Sequence, residues 1–110
     1  MDRVKDLTQI VQREVADYNN VIAWKSQSFY LQDLEHQVYL VIDLPNPDHP
    51  LVKNPAIILM ARVVKDKVVI DEDKTDKPLY EALMANAGIP RSQIILAYAG
   101  ESLPSESESE

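Results

Sequence analysis

The residues whose types and spacing come nearest to chemistry lie in Asp71-Glu-Asp-Lys-Thr-Asp76. Asp71, Asp73 and Thr75 alternate as oxygen ligands do at the start of a calcium loop, where carboxylates and hydroxyls converge on one cation. The pattern then breaks. The sixth position is Asp76 instead of the Gly that makes the turn, and the twelfth is Ala82 instead of a bidentate Glu. What remains is a solvated acidic turn whose charges favour the N-terminus of a following helix. His36 and His49, the two imidazoles, fall in different predicted turns, and neither has a second ligand of metal-site type at i+2 or i+4. Asp48-His49 has the makings of a carboxylate-oriented base, but such a pair in a Pro-rich loop arises readily by chance. With no cysteine and only Gly88 and Gly100, thiol chemistry and a Gly-rich phosphate loop are excluded. Gly-x-Ser-x-Gly and His-Glu-x-x-His are absent as well. The residues describe a chain that is not an enzyme and holds no cofactor or metal.

The elements around this turn are legible from hydrophobic period. Over residues 3–18, Val4, Leu7, Ile10, Val11, Val15 and Tyr18 share one side of a 3.6-residue helix, with Asp6, Gln9, Arg13 and Asp17 outward. Asn19-Asn20 can close it. Trp24 follows, read first as packing the helix end onto a sheet, with a partner-facing anchor as the alternative. Ser28–Leu34 and Gln37–Leu44 read as a hairpin about Glu35-His36. A second hairpin joins Ala56–Val64 to Val68–Ile70 through Lys65-Asp66-Lys67. Between the hairpins, Pro45 to Pro55 is a loop, because its four prolines lack the N–H that a helix or central strand would use.

Pro78 to Ala87 spaces Leu79, Leu83, Met84 and Ala87 as a helix, with Thr75 or Asp76 placed to cap its start and Gly88-Ile89-Pro90 its stop. A last strand spans Ile94–Tyr98. The order is α-β-β-β-β-α-β, an α+β fold with an antiparallel-rich sheet and helices on one face. Residues 1–100 form one domain, and the Ser/Glu tail 101–110 is expected to be disordered.

The net charge of −7 is concentrated in that tail: 11 basic and 14 acidic residues remain over 1–100, a net −3. Lys and Arg are interleaved with acids, whereas phosphate binding needs them clustered. A protein partner is the more natural ligand, with DNA reached only indirectly. The longest apolar run, Ala56–Ala61, is far short of the roughly 20 residues that span a bilayer. No membrane role is expected, and the missing cysteines fit the cytoplasm.

Lys67-Val-Val-Ile-Asp-Glu-Asp-Lys-Thr-Asp76 and Ala87-Gly-Ile-Pro-Arg-Ser-Gln-Ile-Ile-Leu-Ala-Tyr98 resemble the XisI family of fdxN element excision controlling factors. Lys67, Val68, Ile70, Asp73, Thr75, Gly88, Ile89, Pro90, Ile94 and Leu96 match its pattern, and Met1-Asp2-Arg3-Val4 resembles its start. The chain departs at Val69, where the family usually has Trp, at Lys74, where Gly is frequent, and in its Ser/Glu tail. The resemblance implies an accessory factor in programmed DNA rearrangement. Its companions would be a nuclease-like XisH-like protein and a site-specific recombinase, with antitoxin-like restraint of the nuclease as a variant. Direct DNA binding as an excision-directionality factor is the alternative from another class. Asp71, Asp73, Thr75, Asp76 and Trp24 are the candidate partner contacts, and exposed strand edges favour a homodimer.

Overall fold

The computed structural model describes residues 3–18, 26–45, 48 and 54–103. The amphipathic N-terminal stretch forms α1 (Arg3–Asp17). It is followed by β1 (Ser26–Asp33), β2 (Val38–Pro45), β3 (Ala56–Val64), β4 (Lys67–Asp73), α2 (Leu79–Ala87) and β5 (Ile94–Leu96). This is the α-β-β-β-β-α-β order that the hydrophobic pattern gives. The sheet order is β1-β2-β3-β4-β5. Its first four strands form an antiparallel meander, and β5 lies parallel to β4. A parallel neighbour demands a crossover, and α2 supplies it.

Both helices cover one face. Leu7, Val11 and Val15 of α1 and Leu79 and Leu83 of α2 join Tyr39, Val41, Leu59, Ala61, Val63, Val68 and Ile70 in a single core. Val41 and Leu59 lie opposite one another, as do Tyr39 and Ala61, so the period-2 alternation puts them all under the helices. In β4, Val68, Val69 and Ile70 are all fully buried, whereas burial alternates along its neighbours β3 and β5. Met84, at helical spacing with the core, is instead 39% exposed.

Several boundaries differ from the sequence expectation. The second hairpin turns on two residues, Lys65 and Asp66, with Lys65 left-handed at φ 59°, and Lys67 already belongs to β4. β4 runs on through Asp71 and Glu72 to Asp73, so half of the acidic turn is strand, paired to β3 as far as Leu59 opposite Asp73. β5 stops at Leu96, because Ala97–Ala99 coil into a 3-10 turn closed by Gly100 at φ 92°. Gly88 ends α2 at φ 69°, its N–H donating to the Met84 carbonyl while Ile89 reaches back to Leu83. Trp24, His49, most of the Pro45–Pro55 loop and the tail beyond Leu103 lie outside the described residues.

Candidate functional site

Asp73 closes β4 and opens the path to α2. Its Oδ1 accepts from the Thr75 N–H at 2.9 Å, and its Oδ2 accepts from the Leu79 N–H at 2.7 Å. The Thr75 hydroxyl lies 2.5 Å from Asp73 Oδ1 and 2.9 Å from the Lys77 carbonyl, so its one proton goes to one or the other. The helix is therefore capped from six residues upstream by Asp73, and not by Thr75 or Asp76 as the sequence suggested. The reason lies in Pro78, the residue before the helix: at φ −56° and ψ 139° it makes no side-chain cap, which leaves the Leu79 N–H pointing back at the end of β4. The Lys77 carbonyl also accepts from the Tyr18 hydroxyl, tying the end of α1 to the same turn. Burial, then the nearby Asp73 charge, pushes the Tyr18 phenol up to about 12, so it stays a neutral donor at any physiological pH.

Asp71 faces the other way. On the open face of the sheet its carboxylate accepts two parallel bonds from Arg62, Nε to Oδ2 at 2.7 Å and Nη2 to Oδ1 at 2.9 Å. Both side chains are less than a third exposed, and the Asp71 carboxylate raises the Arg62 pKa further, securing its charge. The register shift at Met60/Ala61 leaves Asp71 as an extra residue in β4, so Asp71 and Asp73, which strict alternation would put on one face, serve opposite faces and cannot converge on one cation. Asp76 is exposed and carries none of these bonds.

A cleft of about 410 Å³ opens beside this turn, lined by Tyr18, Ser28, Asp43, Lys74, Thr75 and Lys77 among others. Ser28 donates to Asp43 at 2.6 Å inside it. At the far end of β1, Asp33, Glu35 and His36 bring ligand atoms within 4.8 Å of one another, all exposed. His36 Nδ1 stands 2.7 Å from Asp33 Oδ2, and that hydrogen bond lowers the Asp33 pKa. The partner is at i−3, across the hairpin turn, where a search at i+2 and i+4 does not look. Exposed acidic groups of this kind are common without an ion, and nothing in the turn marks it as a metal site.

The chain matches the family model described as XisI protein over residues 1–108. The chain belongs to the XisI family. Two solved structures share the fold of this XisI-family chain, both from Anabaena variabilis ATCC 29413. One is a XisI-like protein, 18% identical with a TM-score of 0.71, the match covering 84% of each chain. The other is the fdxN element excision controlling factor XisI, 23% identical with a TM-score of 0.70, covering 88% of this chain and 87% of that one. The search of curated proteins found no match.

Within this XisI-family domain, the sequence motif that carries the resemblance is largely architectural. Lys67 Nζ donates to the Ser92 carbonyl, Asp73 and Thr75 make the cap, and Gly88 makes the helix stop. Two polar anchors escaped the sequence reading. Glu14, only 8% exposed, sits between the helices and accepts from Asn86 Nδ2 at 3.1 Å. Its position on the 3.6-residue stripe, between Val11 and Val15, is the signal that could have found it. Glu101 is the other: its Oε2 takes Arg91 Nη2 at 2.5 Å and its Oε1 takes the Leu96 N–H at 2.9 Å, which fastens the start of the acidic tail to β5. Among the described residues, no helix is long and apolar enough to cross a membrane.

Proposed function

We propose that this chain controls the excision of a DNA element by contacting companion proteins, without chemistry of its own. The observation that carries the reading is the family match over residues 1–108, and one solved protein of the same fold is an fdxN element excision controlling factor. The disposition of charge agrees with it. Asp71 and Asp73 are engaged within the fold, and basic residues are interleaved with acids along the sequence, which disfavours a cationic surface for duplex DNA. The companions implied are an XisH-like, nuclease-like protein and a site-specific recombinase, met in the cytoplasm, with DNA reached through them.

Of the candidate contacts, Asp76, with Lys74 and Lys77 beside it, offers exposed side chains, whereas Asp71, Asp73 and Thr75 shape the turn that presents them. Trp24 remains a candidate by its type alone.

The test is co-purification of the full chain with the product of its neighbouring gene, with and without duplex DNA. Co-elution without DNA, lost in Asp76→Lys while the variant keeps its fold, is the expected result. Inhibition of the companion's nuclease activity in that complex would mark restraint as its purpose. No complex with any neighbour, together with a salt-sensitive shift of duplex DNA, would overturn the proposal in favour of direct DNA binding.

A further inference from the structure

We propose that two copies of this chain pair edge to edge through β1, antiparallel about a two-fold axis at Tyr30, to make one continuous sheet. β1 and β5 are the two edges of the sheet. β5 has three residues and is hemmed by 3-10 turns on both sides, the short protected edge that proteins use to prevent pairing. β1 is the opposite. Its eight residues, Ser-Gln-Ser-Phe-Tyr-Leu-Gln-Asp, include no Pro, Gly, Lys or Arg, and none of its pairings to β2 is bulged. Among the described residues no strand pairs with its outer side. Among the described residues, the prolines, lysines and bulges that usually blunt an edge are missing from it, and its one charge, Asp33, stands at its end.

Charge selects the occupant. Two chains of net −7 repel at long range, so self-association needs a contact that adds no like-charge pairs, and residues 26–32 carry no charge at all. An uncharged strand offers a basic partner no ion pair at the contact, whereas a second copy meets side chains of its own kind. The side chains also complement themselves. Directly opposed residues in an antiparallel pair point to the same face, so a two-fold pairing must put a residue opposite itself. Centred on Tyr30, the register sets Phe29 opposite Leu31 of the partner subunit and Leu31 opposite Phe29 of the partner subunit. These two side chains are 42% and 46% exposed in the single chain. They already abut Ile42 and Leu40 of β2, and Leu40 abuts Met60 of β3. Pairing therefore joins two apolar bands on the open face into one that crosses the interface. Asp33, the one charge of β1, falls opposite position 27, a Gln, so no like charges meet.

The inference is independent of the excision-control reading, because its test uses this chain alone. Sedimentation equilibrium of the full chain at tens of micromolar should show a dimer. Two double variants of the exposed pair then fix the register. Phe29→Lys with Leu31→Glu sets Lys opposite Glu twice across the axis and should remain dimeric. Phe29→Lys with Leu31→Lys sets Lys opposite Lys twice and should dissociate about tenfold or more readily. Circular dichroism of both confirms that each is folded. A monomeric parent overturns the proposal. So does equal behaviour of the two variants: loss in both points to packing through the open face, and loss in neither to an interface elsewhere.

Discussion

Asp73→Ala is the substitution that most sharply tests how the acidic turn is built. It removes the acceptor for the Leu79 N–H at 2.7 Å and for the Thr75 N–H at 2.9 Å. A lost helix cap costs about 1 kcal/mol and up to about 2. The second orphaned donor adds about 1 kcal/mol, since the site is part-buried and water replaces the carboxylate only in part. The sum is about 2–3 kcal/mol, a fall in Tm of about 8–15 °C for a domain of this size. Asp73→Asn keeps one of the two acceptor oxygens and should lose about half as much. Asp76→Ala, in the position that sequence reasoning gives to the cap, should change stability by less than about 0.5 kcal/mol. Urea unfolding of the three variants, followed by far-ultraviolet circular dichroism, reads the differences directly. Equal losses at positions 73 and 76 would refute the capping assignment, and so would Asp73→Asn behaving as Asp73→Ala.

Other contacts give independent tests. Gly88 holds φ 69° with open space where a Cβ would go, so Gly88→Ala should cost about 1 kcal/mol from backbone strain alone and Gly88→Asn distinctly less; equal stability of all three would refute it. The half-buried Arg62–Asp71 fork should show a coupling of about 1 kcal/mol in a double-mutant cycle with Arg62→Met and Asp71→Asn, against nothing for an idle surface pair. Glu101 has its pKa lowered, first by the Leu96 N–H and then by Arg91. A carboxylate held more acidic in the folded state lends stability above its unfolded pKa, 4.5, that is lost as pH falls through the folded value. Glu101→Gln should therefore lower stability at pH 7 and flatten the acid limb of the stability–pH curve, and an unchanged limb would show that the clamp is not formed in solution.

The period of the apolar residues is sufficient for each α-helix and strand and their order, though not for the 3-10 turns at Arg91–Gln93 and Ala97–Ala99, because each helix and strand buries a face and so writes its geometry into the chain. What it could not convey was where a strand stops when its last residues are polar. Asp71, Glu72 and Asp73 look like a turn by composition, yet they continue β4, Glu72 and Asp73 opposite Met60 and Leu59 with Asp71 bulged between them and Ile70, since the backbone ladder is indifferent to side-chain charge so long as the side chains find water or a partner. Arg62 is that partner for Asp71, and it lies nine residues away, visible only once the hairpin register is known. Glu101 was assigned to a featureless tail for the same reason: its ligands, Arg91 and the Leu96 N–H, become neighbours only after β5 pairs and the 3-10 turn folds back.

These placements explain why a search for chemistry in this sequence finds near-misses. Asp71, Asp73 and Thr75 have the alternation of a calcium loop in sequence, but the bulge at Asp71 breaks it in space, sending Asp71 to the open face while Asp73 stays on the helix face. Asp73 and Thr75, which carry the family resemblance, then bond to each other and to the start of α2, so both are engaged in building the turn. A fold whose signature residues are consumed in holding its own turn acts on other molecules through what it leaves unsatisfied. In the described chain that is chiefly the backbone of β1 and the apolar pair Phe29 and Leu31 beside it. Recognition through a strand edge needs main-chain hydrogen bonds and a few side chains at alternate positions, and no catalytic group.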